Sequence, residues 1–421
     1  MYQKIKGTLD FFDESAMKYR YLEKTISEVI KNYGYQEIIT PIFENTELFV
    51  RSSGDESDIV NKEMYTFLDK GKRSITLRPE GTAAVVRSFL ENKMYANNQL
   101  TKLYYFGPMF RYERPQAGRY RQFTQFGIEA FGTASPLLDA DVIISAYQIF
   151  EKLGIDNLKL KVNTIGDFAS RQTYANVLKN YFGKHIDSLC SDCQRRIDKN
   201  TMRILDCKVD KDNPVLQNAP KITDSLSAEA KQYFEEVIKI LEYHHIPYEV
   251  DENLVRGLDY YTDTVFEYLI ESDDDLNGLA ICGGGKYSDM VKSFGGPDIP
   301  GIGYAFGIER IISIMDQKEL FPKLKPDADI IIIALDDLSK VHSLKLANYL
   351  RQHNYYVELD YKNITLKQQF KLADRMNAKF IIIIGEEERL NNKLTVKNTY
   401  TKTQDTIEER NLLEFLKENF K

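Results

Sequence analysis

Apolar and polar positions follow two different periods in the first part of the chain. In Lys18–Tyr33 apolar residues recur at helical spacing, which predicts an amphipathic helix that stops at Gly34. Aromatic and apolar residues crowd Leu103–Arg111 and Phe123–Phe131, which predicts two strands. The segment between them is charged and contains proline and glycine, so we expect the two strands to form a hairpin with a long loop.

The following segments change in character. Ala169–Ala230 is polar, helical in pattern and rich in Lys, Arg and Asp, which is typical of an inserted module. Strand character returns in Val250–Ile270 and in Leu279–Cys282. Gly301–Ile314 runs from a strand of small residues into an apolar helix.

The last quarter of the chain predicts a separate α/β domain. A linker with two prolines occupies Phe321–Asp327. Strands and helices then alternate, and the runs of isoleucine favour a partly parallel sheet. The predicted elements are strand Asp329–Leu335, helix Ser339–Gln352, strand Tyr356–Asp360, helix Leu366–Asn377 and strand Phe380–Ile384.

Composition narrows the class of protein. The 421 residues are 43% apolar and carry a net charge of −7, which argues against a protein coated in basic residues. No apolar run approaches the roughly 18 residues needed to cross a bilayer, and the first ten residues are mixed, so we expect a soluble, cytoplasmic protein. Positive charge is nevertheless concentrated in Thr101–Gln125, where five basic residues face one acidic residue.

The predicted hairpin brings functional groups together. Because side chains alternate between the faces of a strand, Arg111 on the first strand can share a face with Gln125 and Glu129 on the second. An arginine, an amide and a carboxylate in one pocket suit a zwitterionic or phosphorylated ligand. The competing interpretation is a surface hairpin with solvated charges, and the length and order of the motif disfavour it.

Gly107–Gly132 resembles motif 2 of the class II aminoacyl-tRNA synthetases, in the form typical of the histidyl-tRNA synthetase family. Leu254–Glu267 matches the histidine-specific signature of that family at nearly every position. Gly301–Ile311 is similar to motif 3, and Tyr33–Glu44, with Pro41, resembles a degenerate motif 1 at the family's dimer interface. The resemblance covers nearly the whole chain.

The resemblance implies roles for particular residues. Arg111 and Arg256 would hold the ATP α-phosphate, Arg310 would reach the γ-phosphate, and these three arginines would carry the catalysis. Arg119, with Arg111, Arg256 and Arg310, would bind ATP, whereas Arg114 and Gln116 would meet the tRNA acceptor end. Histidine would contact Arg111 and Arg256 and the following residues: Glu80, Gly81, Thr82, Gln125, Glu129, Tyr260, Tyr261 and Tyr287.

One segment departs from the family pattern. Cys282–Val291 is glycine-rich and is expected to form a loop that closes under the ligands, with Tyr287 near the histidine. The family usually has Arg-Tyr-Asp here, whereas this chain has Lys286-Tyr287-Ser288. The roles of the two neighbouring charges therefore do not carry over.

Cysteines in the helical segment leave two interpretations open. Cys190, Cys193 and Cys207, with His185, have a spacing compatible with a zinc site, although the second CxxC of a strong zinc pattern is missing. Reduced structural thiols are the default interpretation, since four cysteines in a chain of this length do not make a disulfide framework.

The fold class that follows is α+β: an antiparallel-sheet class II catalytic domain and a C-terminal α/β anticodon-binding domain. The domains would span residues 1–325, with a helical insertion at about 169–230, and 326–421. The resemblance implies a homodimer that uses ATP and Mg²⁺ to activate L-histidine and load it onto tRNA(His), with no side chain standing out as general base. The alternatives are a synthetase-like regulatory subunit of ATP phosphoribosyltransferase, or a binding module for tRNA or ATP without catalysis.

Overall fold

The structure is a computed structural model that describes residues 2–54, 57, 59–97, 99–113, 118–207, 209–256, 260–324, 327–362 and 364–419. The chain divides into two compact units, and the boundary along the sequence lies between Pro322 and Lys323. No helix in these ranges is long and apolar enough to cross a membrane.

The first unit combines helices with two sheets. Its helices are α1 Asp13–Asn32, α2 Thr46–Ser53, α3 Thr82–Glu91, α4 Pro136–Lys152, α5 Phe168–Gly183, α6 Ser191–Lys199, α7 Pro214–Gln217, α8 Ala228–Tyr243, α9 Met290–Ser293 and α10 Ile308–Gln317. Its strands are β1 Gln36–Glu37, β2 Phe43–Asn45, β3 Tyr65–Leu68, β4 Ser74–Leu77, β5 Thr101–Phe110, β6 Gln122–Phe131, β7 Leu158–Thr164, β8 Tyr248–Val250, β9 Thr262–Ile270, β10 Ala280–Tyr287 and β11 Gly301–Gly307.

An eight-stranded sheet with the order β1-β5-β6-β11-β10-β9-β7-β8 supports the first unit. Its inner pairs are antiparallel, and only the outermost pairs, β1 with β5 and β7 with β8, are parallel. The predicted hairpin is confirmed, since β5 pairs with β6 along its whole length. A second sheet, β2-β4-β3, is small.

Helices α1 and α4 cover the large sheet on the side of the main core. The buried residues of α1 include Leu22, Ile26 and Ile30, four positions apart on one helical face, as the apolar period of this segment predicts. Complete burial of such a side chain contributes about 1.5–3 kcal/mol to folding. The insertion between β7 and β8 has an apolar cluster of its own, built on Tyr174 and Phe182 of α5.

Two predicted elements are wrong in detail. The glycine-rich segment from Cys282 is not a loop but belongs to β10, between β9 and β11. Its glycines fit a strand because neighbouring side chains fill the space: Tyr304 and Phe266 lie against Gly284.

The second correction concerns the segment before β9, which was predicted as strand from Val250 onward. β8 ends at Val250 and β9 begins only at Thr262. The segment between them turns, because the backbone N–H of Leu254 donates to the carbonyl of Asp251 at 2.8 Å. The Leu254 carbonyl in turn accepts from Asn163 of β7 at 3.0 Å, which ties the turn to the sheet.

The second unit is a sheet with helices. Its order is β13-β12-β14-β15-β16, in which the first three strands are parallel and the last two antiparallel. The partly parallel sheet predicted from the isoleucine runs is confirmed. Its elements are β12 Ile330–Ala334, α11 Asp337–Gln352, β13 Val357–Leu359, α12 Leu366–Arg375, β14 Phe380–Ile384, α13 Glu386–Leu390, β15 Lys393–Asn398, β16 Gln404–Glu408 and α14 Leu412–Asn419.

Candidate active site

A cavity of about 560 Å³ in the first unit is lined by side chains from β5, β6, β9, β10 and β11. Most residues that the sequence marked as ligand-binding line it together: Glu80, Thr82, Arg111, Arg119, Gln125, Glu129, Arg256, Tyr260, Tyr261, Tyr287 and Arg310. Gly81 is adjacent, since its backbone N–H donates to Gln125 Oε1 at 3.2 Å. Arg114 and Gln116 lie outside the described residues.

Glu129 is the most deeply buried carboxyl group of this cavity, with 1% of its surface exposed. It accepts hydrogen bonds from the hydroxyl of Thr82, at 2.7 Å, and from the hydroxyl of Tyr287. Burial raises the pKa of Glu129 to about 8, against the opposing effect of these two donors. The group is therefore poised to accept an N–H from a polar ligand, which would favour its ionised form.

Glycine 303 makes room for this carboxyl group. Gly303 of β11 pairs with Glu129 of β6, and a Cβ at position 303 would overlap Glu129 Oε2 and the carbonyl of Ile128. The small residues of β11 thus let a large acidic side chain lie across the strand, which places that side chain at the floor of the cavity.

Arg256 reaches the cavity from the turn before β9. Its Nη1 donates to Glu267 Oε1 at 2.8 Å, and its Nε, which is buried, has no partner in the part of the chain described. Burial by itself would lower the pKa of Arg256, but the carboxylate of Glu267 and the nearby Tyr261 outweigh it, so this pKa is raised. The guanidinium stays charged and keeps a donor available for an anionic ligand.

Arg111 follows the end of β5. Its Nε donates to the carbonyl of Pro79 at 2.8 Å, and its guanidinium carbon lies 5.4 Å from the centre of the Phe123 ring. These contacts orient the side chain through one donor. Its η nitrogens donate to no atom of the described residues, so they remain available to grip two oxygens at once.

Arg310 and Arg119 line another part of the cavity, and Arg119 also pairs with Glu113 at 3.5 Å. Arg310 lies in the first turn of α10 and donates from Nη1 to the carbonyl of Ala280 at 2.5 Å. Burial, and after it the charge of Arg119, lower the pKa of Arg310. Two cations that repel each other in a cavity are stabilised by an anion between them, which fits a phosphate group.

Glu80 joins β4 to α3 and acts on the helix as well as on the cavity. Its carboxylate accepts the backbone N–H groups of Thr82, at 2.6 Å, and Ala83, at 3.0 Å, and so caps the N-terminus of α3. Burial raises the pKa of Glu80 in spite of these two donors. Each oxygen keeps a lone pair that an ammonium group can use.

Three tyrosines form an aromatic wall. The rings of Tyr260 and Tyr261 lie 4.6 Å apart between centroids, and Tyr260 meets Tyr287 edge-on at 5.7 Å. Tyr261 and Tyr287 are almost completely buried. A flat ring with polar atoms at its edge, such as an imidazole, is compatible with such a wall.

Sequence reasoning missed several residues of the cavity wall. Tyr105 is one, since its hydroxyl donates to Gln125 Oε1 at 3.3 Å and its ring fills the space beside Gly81 and Gly127. The alternation that puts Arg111 on the face of Gly107 also puts Tyr105 there, so this signal was available. Others include Asp192, Arg196 and Arg203 of the insertion, and Glu267 and Glu309.

Lys286, which departs from the family pattern, lies in different surroundings from Tyr287. Its amine is 3.7 Å from Asp263 and 4.0 Å from the centre of the Tyr233 ring on α8. The nearby carboxyl of Asp139 has its pKa raised to about 6 by burial, although Lys286 opposes this. Lys286 therefore belongs to a buried ionic cluster and not to the cavity wall.

An arginine-lined cavity on an antiparallel sheet, in a chain with a further α/β unit, is the arrangement of a class II aminoacyl-tRNA synthetase. The histidyl-tRNA synthetase model matches residues 7–311, and an anticodon-binding domain model matches residues 329–419. The histidine--tRNA ligase of Staphylococcus aureus (strain JH9) is 48% identical over 414 residues, which cover 98% of this chain and 99% of that protein. The chain therefore belongs to the histidyl-tRNA synthetase family.

Solved structures agree with this assignment. The crystal structure of apo S. aureus histidyl-tRNA synthetase is 43% identical, with a TM-score of 0.85 and coverage of 99% of both chains. A structure from Bacillus halodurans C, described as an ATP phosphoribosyltransferase regulatory subunit/histidyl-tRNA synthetase, is 20% identical with a TM-score of 0.66. It covers 91% of this chain and 98% of its own, and at that identity it shows the fold alone.

Proposed function

We propose that this chain activates L-histidine with ATP and transfers the histidyl group to the 3′ end of tRNA(His). The family and the 48% identical ligase support this activity. The observation that carries the proposal is one cavity lined by Arg111 and Arg256 together with the buried, hydrogen-bonded Glu129. The reaction requires cations that bind the phosphates of ATP, and it requires an acceptor for the N–H of the histidine ring.

In the first step a carboxylate oxygen of histidine attacks the α-phosphorus of ATP. A new O–P bond forms as the bond to the β-phosphate oxygen breaks, which gives histidyl-adenylate and pyrophosphate. Arg111 and Arg256 stabilise the charge on the equatorial oxygens of the α-phosphorus, while Arg310 and Arg119 hold the leaving phosphates. Catalysis therefore consists of positioning and charge stabilisation.

Mg²⁺ fits the carboxylates of this cavity. Glu267 uses Oε1 for its ion pair with Arg256, so its Oε2 would be the oxygen that holds this hard cation. When bound, Mg²⁺ supplies neutralising charge to the phosphates.

Histidine is held at both of its ends. Glu80 and Thr82, with Gly81 between them and Gln125 beside them, take the ammonium group, because carboxylate and hydroxyl oxygens accept its N–H donors. Glu129 accepts an N–H of the imidazole and Tyr261 serves its other nitrogen, while Tyr260 and Tyr287 shape the walls. Sites built on buried hydrogen bonds discriminate by roughly 10⁴ or more, so no editing site is required.

In the second step a ribose hydroxyl at the 3′ end of the tRNA attacks the carbonyl carbon of the adenylate, and AMP leaves. We assign no side chain as general base, and a phosphate oxygen of the adenylate is the acceptor consistent with that choice. Arg114 and Gln116 would guide the acceptor end. The unit from Lys323 onward would bind the anticodon region, in line with its family match at 329–419.

We further propose a cytoplasmic homodimer with a catalytic domain at 1–325, interrupted by the helical insertion, and an anticodon-binding domain at 326–421. The dimer is supported by apolar side chains that the single chain leaves exposed near Pro41 and on the small sheet: Ile39, Ile42, Phe43, Phe67 and Leu68. An exposed patch of this kind marks a protein interface.

Histidine-dependent exchange of labelled pyrophosphate into ATP tests the activity. Exchange with histidine, and none with other amino acids, is the expected result. A purified, folded chain that shows no exchange would contradict the proposal and would favour the regulatory-subunit alternative. Transfer to tRNA(His), measured separately with labelled histidine, tests the second step.

A further inference from the structure

Four potential metal ligands gather in the helical insertion. They are Cys190, Cys193, Cys207 and Asp210, and their ligand atoms all lie within 4.8 Å of one another. Cys193, Cys207 and Asp210 are buried, and Cys190 is half-buried. The Sγ atoms of Cys190 and Cys207 are 3.7 Å apart.

The four residues form two pairs of the same design. Cys190 and Cys193 are separated by two residues, and Cys207 and Asp210 repeat that spacing. In the second pair the backbone N–H of Asp210 donates to the sulfur of Cys207 at 3.4 Å. Asp210 thus stands where a second CxxC motif would have its last cysteine, and this is why the sequence pattern looked incomplete.

His185, which the spacing had made the fourth candidate ligand, is not part of the group. It is exposed, and its ring contacts that of Tyr181 at 5.2 Å between centroids. The three cysteines of the sequence hypothesis therefore lie together, whereas His185 lies outside the group. The reason is that Asp210 reaches the sulfurs through the turn that begins at Cys207, whereas His185 precedes the pair at Cys190.

The separation between the sulfurs of Cys190 and Cys207 matches tetrahedral coordination. With Zn–S bonds of about 2.3 Å, two thiolates on a tetrahedral ion lie roughly 3.8 Å apart, close to the separation of Cys190 and Cys207. A carboxylate oxygen completes the set at about 2.0–2.2 Å from the ion.

We propose that Cys190, Cys193, Cys207 and Asp210 form a structural Zn²⁺ site. Four protein ligands fill a tetrahedral shell and leave no position for substrate, so the ion has a structural role and does not serve the phosphate chemistry. Binding replaces the protons of the three thiols, which are released to solvent. The ion would join the start of α6 to the turn at Cys207.

The proposed metal site lies next to the active-site cavity. Cys207 lines the active-site cavity, as do Arg196 on α6 and Arg203 between the two ligand pairs. A metal that fixes both pairs also fixes the segment between them. The proposed ion therefore holds the wall that the insertion contributes to the cavity.

Metal analysis of the full chain, purified without a metal-affinity tag, tests the site. We expect about one Zn²⁺ per chain, measured by inductively coupled plasma mass spectrometry. Asp210→Ala and Cys193→Ser should lower zinc affinity by at least about tenfold, since loss of even an outer-shell partner has that effect. His185→Ala is the matched control and should keep its zinc.

Replacement with Co²⁺ provides a readout that does not depend on the variants folding. The unmodified chain should show the visible bands of tetrahedral Co²⁺ and a sulfur-to-cobalt charge-transfer band. A folded chain that takes up neither Zn²⁺ nor Co²⁺ would overturn the proposal. It would equally be overturned if His185→Ala lost the metal while Asp210→Ala retained it.

Discussion

Nη1 of Arg256 lies 2.8 Å from Oε1 of Glu267, in the wall of the cavity that Arg111 also lines. The arginine side chain is only 20% exposed, so this pairing fixes its direction before any ligand arrives. Preorganised charge costs no rearrangement at the moment of reaction, which is the main source of electrostatic catalysis.

Replacement of Arg256 by lysine should remove most of the activation activity. A lysine is a single point charge and cannot grip two phosphate oxygens while it also pairs with Glu267. The expected cost is on the order of 3 kcal/mol in the barrier, or about a hundredfold in rate. Pyrophosphate exchange measures it, with Arg73→Lys, on an exposed side chain, as the control. Near-normal exchange in Arg256→Lys would refute the role.

Substitution of Gly283 by alanine should imitate the loss of Arg256 without touching it. The three atoms nearest to a Cβ at this position all belong to the guanidinium of Arg256, so the methyl group displaces that side chain. We expect exchange to fall roughly tenfold or more, as misplacement of a positioned group does. Gly183→Ala is the matched control, because a Cβ there meets nothing within 4 Å. Equal exchange rates in the two variants would count against the placement of Arg256.

Glu129→Gln should change how stability depends on pH. The pKa of Glu129 is raised from 4.5 to about 8, so the folded state holds a proton that the unfolded state gives up. The contribution of Glu129 to the stability of the folded state is therefore at its full value below pH 4.5 and is lost as the pH rises towards 8. A glutamine has no proton to lose. The free energy of unfolding of the variant, relative to that of the wild type, should therefore rise over this pH range by on the order of 1 kcal/mol or more.

Urea unfolding at pH 5 and at pH 8.5 measures this difference. Glu91→Gln, on a largely exposed side chain, should follow the wild type at both values. If the difference between Glu129→Gln and the wild type is the same at both pH values, Glu129 ionises normally in the folded protein and the prediction is wrong.

Ile39→Asp should weaken the proposed dimer. Ile39 is 85% exposed in the single chain, and a carboxylate buried in an apolar interface loses its hydration without a partner. Light scattering during gel filtration should give half the wild-type mass at micromolar concentration. Val341→Asp changes a side chain with 71% exposure in the second unit and should leave the mass unchanged. A monomeric wild type would end this proposal.

The sequence predicted the elements whose signal is local. The period of α1 and the crowded aromatic residues of β5 and β6 are sufficient to place them. β15 and β16 were not predicted, although Leu394 and Val396 alternate with polar residues in β15, because the pattern is short and contains only these two apolar residues. β15 pairs with the free edge of β14, and β16 pairs with β15 in turn, which a local pattern does not reveal.

Part of the candidate site could be predicted from short-range patterns, and part could not. Arg111, Gln125 and Glu129 are linked by alternation along paired strands, so short-range rules place them together. Asp210 and Glu267 could not be found in that way, because each acquires its role from residues far away in the chain or across a turn. The glycines of β10 were assigned to a loop, since only the neighbouring Arg256, Tyr304 and Phe266 explain why a strand there has no side chains.

Lys286 and Tyr287 are consecutive in β10, yet their side chains have different surroundings. The amine of Lys286 lies in the buried cluster with Asp263, whereas the hydroxyl of Tyr287 donates to Glu129. A shift of β10 by a single residue would exchange them, and would bring a cation next to Glu129 in the cavity. Insertions or deletions in this strand would therefore be far more damaging than most single substitutions. Length variation among relatives should be absent from this stretch and confined to the turns at its ends.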